Sequence, residues 1–115
     1  MILVDTSVWI DHFRRGNARL AELLMDGEVF MHPLVFGELA CGGLRNRAGI
    51  LRLLEALPHA VTASFDETLD FLDTWKLHGK GLGWVDVSLL ASARLTSCTL
   101  WTLDKALARE AVRLR

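Results

Sequence analysis

At 115 residues the chain is one domain by size, and its 51% apolar content is enough for a packed core, which argues against disorder. No apolar run approaches the roughly 18 residues of a membrane helix, and no basic leader precedes the first apolar segment, which argues against an anchor or a signal peptide. With 13 Lys and Arg against 14 Asp and Glu, net charge is −1 and a broad basic surface is not available.

Residues 2–5, "ILVD", read as a short buried strand ending in a carboxylate, followed by a helix over about 6–15 with Trp9, Ile10 and Phe13 on its apolar face. Gly16 breaks that helix. Asn17 caps the next, whose stripe is Leu20, Leu23 and Leu24 and which stops at Gly27. "EVFMH", 28–32, reads as a second strand, and Pro33 suits the first turn of a helix, "PLVFGELACGGL", that Gly42 and Gly43 end. "NRAGILRLLEAL" is a further helix, closed by Pro58, with apolar residues covering more than a narrow stripe. "AVTAS", 60–64, reads as a third strand.

Ser64 and Glu67 match a capping box for a helix carrying Leu69, Leu72 and Trp75. A glycine-rich turn, 79–83, leads into "WVDVSLLASARL", apolar or small nearly all round and therefore buried. "CTLWTL" is another strand and "DKALAREAVRL" the final helix. Short apolar strands alternating with helices point to an α/β sandwich around a parallel sheet.

Cys41 and Cys98 lie far apart with no CxxC pair, which fits a reducing cytoplasm. The four histidines are scattered, form no zinc spacing, and read as ordinary surface or core-edge residues. The basic clusters Arg14, Arg15, Arg19 and Arg45, Arg47, Arg52 read as solvated helix faces, or as local phosphate contacts if carboxylates gather elsewhere.

Four acidic residues stand apart from the solvent-facing majority. Asp5 and Asp104 each follow a strand, at the carboxyl edge where parallel α/β sheets usually bind ligands. Asp86 lies in the first turn of the buried helix, on the face of Leu89, Leu90 and Ala93. Glu38 lies inside an apolar helix within about two turns of the same edge. Each has a bland alternative: Asp5 and Asp104 as helix caps, Asp86 as a first-turn acid favoured by the dipole, Glu38 as a snorkelling side chain. Together at one edge they would repel, and hard oxygen ligands without His or Cys suit Mg²⁺ or Mn²⁺. A divalent ion there points to phosphoryl chemistry.

"VDTSVWIDHF", "FGELACG", "GLGWVDVSLLASA" and "LWTLDKAL", in that order over nearly the whole chain, resemble the PIN domain, specifically the VapC-type ribonuclease toxins of bacterial and archaeal toxin–antitoxin pairs. The resemblance implies a PIN-like three-layer sandwich, residues 1–115 forming one domain, with a central four- or five-stranded parallel sheet flanked by helices. It implies a Mg²⁺- or Mn²⁺-dependent endoribonuclease in which Asp5, Glu38, Asp86 and Asp104 form the acidic quartet and Asp5 and Asp86 are tied most directly to the metal. Thr6 and Thr102 match positions where small hydroxyls support the quartet.

It further implies an RNA substrate, a homodimer, silencing by a cognate antitoxin that inserts a peptide near the active site, and DNA contact only through the antitoxin complex. The broad apolar surface of residues 50–57 fits a dimer or antitoxin contact, or a buried core helix equally. Ala106 stands where many relatives carry a polar or acidic residue, which bears on a second metal, and the chain stops at Arg115 where relatives commonly continue into an edge strand. A receiver-type phosphoacceptor would need an acidic pair after the first strand and an aspartate after the third; "VDTS" and "AVTAS" supply neither. An inert PIN-like binding module would not need the intact quartet.

Overall fold

Residues 1–115 are described by a computed structural model. Three short strands, β1 (Ile2–Val4), β2 (Val29–Phe30) and β3 (Thr99–Trp101), form a parallel sheet in the order β2-β1-β3. Ile2 pairs with Val29 on one side and Thr99 on the other, and Val4 with Trp101. Neighbouring side chains on a strand point to opposite faces. Leu3 and Val4 are both fully buried, so helices cover β1 on both sides. Because all three strands run the same way, Asp5, His32 and Thr102 emerge at one edge.

The expected four- or five-stranded sheet has three strands. The "AVTAS" region contributes one parallel bridge, Met31 to His59, closed by Met31 N–H to Pro58 O (2.8 Å) and Ala60 N–H to Met31 O (2.9 Å). Beyond it the backbone leaves the ladder. The Val61 and Ala63 amides donate instead to Thr96 Oγ1 (2.9 Å) and Ser92 Oγ (3.0 Å), hydroxyls on the neighbouring helix. A strand-like composition cannot extend a sheet once its donors are taken by side chains.

Seven helices fill the remainder: α1 (Thr6–Arg15), α2 (Ala18–Met25), α3 (Pro33–Ala40), α4 (Arg47–Glu55), α5 (Phe65–Thr74), α6 (Trp84–Thr96) and α7 (Lys105–Arg113). Local caps start several of them. Asn17 Oδ1 accepts from Leu20 N–H, and Ser64 and Glu67 complete their reciprocal box. The α6 run from Val87 to Ala93 is buried without interruption, as its all-round small and apolar sequence dictates. No helix is long and apolar enough to cross a membrane.

The histidine expectation fails at His32, which is completely buried. It caps α3 through Nδ1, which accepts from Leu34 N–H at 3.1 Å, so Nε2 carries the ring proton and donates to Ser92 Oγ at 3.0 Å. Burial, and to a smaller degree the charge of His59, pulls its pKa down to about 4. A buried imidazole thereby links β2, α3 and α6.

Candidate active site

Asp5 occupies the N-cap position of α1, with extended backbone, yet its side chain makes no capping hydrogen bond. It is 7% exposed and turned instead toward two hydroxyls. Ser7 Oγ donates to Asp5 Oδ2 at 2.8 Å and Thr102 Oγ1 donates to the same oxygen at 2.7 Å. Each hydroxyl has one proton, so with both committed to Asp5 their own 3.2 Å approach is a contact between oxygens. Both bonds fall on Oδ2, which leaves Oδ1 for another ligand.

The hydroxyls also order the chain after β3. Leu103 N–H donates to Ser7 Oγ (3.0 Å) and Asp104 N–H to Thr102 Oγ1 (3.0 Å). Asp104 itself caps α7, its Oδ1 accepting from Leu107 N–H at 2.8 Å. The cap alternative therefore holds for Asp104 and fails for Asp5. Ser7 was not anticipated. As the last residue of "DTS" it reads as a first-turn helix residue, and the run of three oxygen-bearing side chains at a strand end is the one sequence signal it gave.

Asp86 Oδ2 accepts from Gly83 N–H at 2.9 Å, closing the first turn of α6. Its pKa is nevertheless raised: burial is the main cause, and the negative charges of Asp5 and Asp104 add to it against the Gly83 bond. Asp86 thus feels the charges of two carboxylates from other parts of the chain at the carboxyl edge. Glu38 joins through Thr6, whose Oγ1 donates to Glu38 Oε1 at 2.6 Å; both lie nearer solvent. All six anticipated residues, Asp5, Thr6, Glu38, Asp86, Thr102 and Asp104, stand on this edge, Glu38 at its exposed side.

The carboxylates do not close into a preformed cage, since no three acidic, histidine or cysteine side chains are arranged to hold a metal ion. A Mg²⁺-type ion needs less than a cage, because it usually takes one or two carboxylates and keeps water or phosphate oxygens elsewhere. Asp5 Oδ1 is spare, Asp86 is destabilised as an anion, and all the donors are hard oxygens. That donor set fits Mg²⁺ or Mn²⁺ in a water-rich site.

Residues 2–112 match the PIN domain family. The chain is 49% identical over 108 residues to ribonuclease VapC32 of Mycobacterium tuberculosis, in strains CDC 1551 and H37Rv alike, covering 93% of this chain and 87% of the relative. Its fold is similar to that of M. tuberculosis VapC20, described as a sarcin–ricin-loop-cleaving toxin, with TM-score 0.69 and 19% identity over 96% of this chain and 95% of that one. It is also similar to FitAcB of Neisseria gonorrhoeae, with TM-score 0.64 and 20% identity over 97% and 94%. By sequence along nearly its whole length, and with a fold that agrees, the chain belongs to the PIN-domain family and, within it, to the VapC ribonucleases.

Proposed function

We propose that this protein is a Mg²⁺- or Mn²⁺-dependent endoribonuclease, the toxin of a cytoplasmic toxin–antitoxin pair. The observation that carries it is Asp5: an aspartate at a helix N-cap that forgoes the cap and is held by two hydroxyls, its charge felt by the partly buried Asp86 carboxyl. A ribonuclease relative at 49% identity supports the same chemistry. Asp5 and Asp86 would hold the ion directly, with Glu38 and Asp104 completing the acidic pocket. When bound, it would supply Lewis acidity toward an RNA phosphate and a water nucleophile.

The chain's own residues hold the geometry. Ser7 and Thr102 fix the Asp5 rotamer, Thr6 holds Glu38, and Asp104 anchors α7 against the same edge. A bound cation would offset the repulsion from Asp5 and Asp104 that adds to the burial of Asp86, so metal affinity and the carboxylate cluster would support each other. A homodimer and a cognate antitoxin are the expected partners, the latter supported by the VapC relatives. Leu53, largely exposed among the apolar residues 50–57, is available to such a contact.

Replacing Asp5 by Asn keeps an acceptor for Ser7 and Thr102 and removes the charge. Cleavage of RNA in Mg²⁺ should fall at least about 100-fold, by analogy with the loss of metal-supporting groups, with the circular dichroism spectrum unchanged. Cleavage at the wild-type rate would refute the assignment.

A further inference from the structure

Ten arginines are distributed over the chain, and the structure commits several of them internally. Arg15 pairs with Asp11 at 2.6 Å, Arg113 with Glu110 at 2.6 Å, and Arg94 lies 4.6 Å from the centre of the Trp75 ring. Arg47 donates twice to Ala40 O, ending α3. Six arginines make no ion pair or hydrogen bond, among them Arg14 and Arg45, one from each of the two clusters noted in the sequence. Both line one cleft of about 660 Å³ between α1, α3 and the start of α4, and Glu38 lines that cleft too.

We infer that this cleft carries the RNA strand beside the cleavage site, with Arg14 and Arg45 as phosphate-positioning residues. The inference rests on the proposed ribonuclease activity. The acidic edge repels a phosphate chain everywhere except at its cation, so a strand leaving it needs positive charge within reach. Glu38 is the point where the acidic edge and the cleft meet, and the guanidiniums of Arg14 and Arg45 belong to the same cleft.

The remaining walls include Phe13, Leu44 and Ile50, apolar surfaces of the kind on which unstacked bases rest. A purely apolar peptide would leave both guanidiniums unanswered. A single RNA strand satisfies the charges and the apolar walls together. Neither arginine touches the reacting atoms.

The test measures binding separately from turnover. A fluorescently labelled, mixed-sequence single-stranded RNA is titrated with the full chain in EDTA, across a series of salt concentrations. Changing Arg14→Gln and Arg45→Gln together should weaken binding roughly tenfold and flatten the dependence of log Kd on log salt by about 1.4, at about 0.7 per single-strand phosphate contact. Arg14→Lys with Arg45→Lys, which keeps the charges, should restore most of the slope.

Unchanged affinity and slope in the Gln variant would overturn the inference. So would unchanged RNA binding accompanied by loss of a co-expressed partner protein, which would assign the cleft to a peptide. Failure here leaves the Asp5→Asn result untouched, because EDTA removes turnover from the measurement.

Discussion

The hydroxyl of Ser7 donates to Asp5 and accepts from Leu103 N–H, so one small side chain joins the end of β1 to the end of β3. Ser7→Ala removes both of these hydrogen bonds and hands the exposed Leu103 amide to water, which should cost about 0.5–1.5 kcal/mol in urea unfolding. It should lower RNA cleavage about 10- to 100-fold, the usual cost of losing a group that orients a metal ligand. Asp86 gives the opposite sign for stability. Its folded pKa is raised, so ionising it costs the native state as pH climbs above the ordinary carboxylate range. Asp86→Asn keeps an acceptor for Gly83 N–H and should melt higher than wild type in EDTA at neutral pH, with the advantage shrinking as pH falls, while cleavage is lost. The acidic positions were legible in the sequence because a strand end and a helix first turn are local features. The role of Thr102 toward Asp5 depends on pairing across 97 residues, which no local pattern encodes, whereas Ser7 reaches Asp5 from two residues on.

The helices followed their local signals closely: Asn17, Ser64 and Asp104 cap where their types and spacing put them, and the Gly42–Gly43 pair lies just past the end of α3. The "AVTAS" segment misled because the Ser92 and Thr96 hydroxyls of the neighbouring helix take amides a further strand pairing would need, and Val61 stays exposed. His32 misled for a related reason. Its burial is set by Ser92, sixty residues away. Because its folded pKa lies below the ordinary value, its contribution is complete above 6.5 and is lost as pH falls toward about 4. At full effect this amounts to about 3 kcal/mol. Urea midpoints should therefore drop across that window, and His32→Asn, which retains a cap acceptor but cannot take up a proton, should flatten the drop. An unaltered pH profile in His32→Asn would show that other groups govern acid stability.

At the scale of the molecule, a small three-stranded sheet holds the Asp86 carboxyl within reach of the negative charges of Asp5 and Asp104 at one edge, so ion binding and folding should be linked. Mn²⁺ at 100 times its dissociation constant should add about 2.7 kcal/mol to unfolding. A calorimetric scan should show a higher melting temperature in wild type, with Asp5→Asn and Asp86→Asn responding far less; equal responses in all three would place the ion elsewhere.

The central position of β1 has a further consequence for biosynthesis. Residues 2–4 must wait for 99–101 before the sheet closes, and Asp5 waits for Thr102. A ribosome-bound chain that has not yet extruded that region holds Asp5 with Ser7 alone of its two hydroxyl partners. The Thr102 contact to Asp5, and with it this part of the acidic edge, therefore forms only once the chain has been made past residue 104.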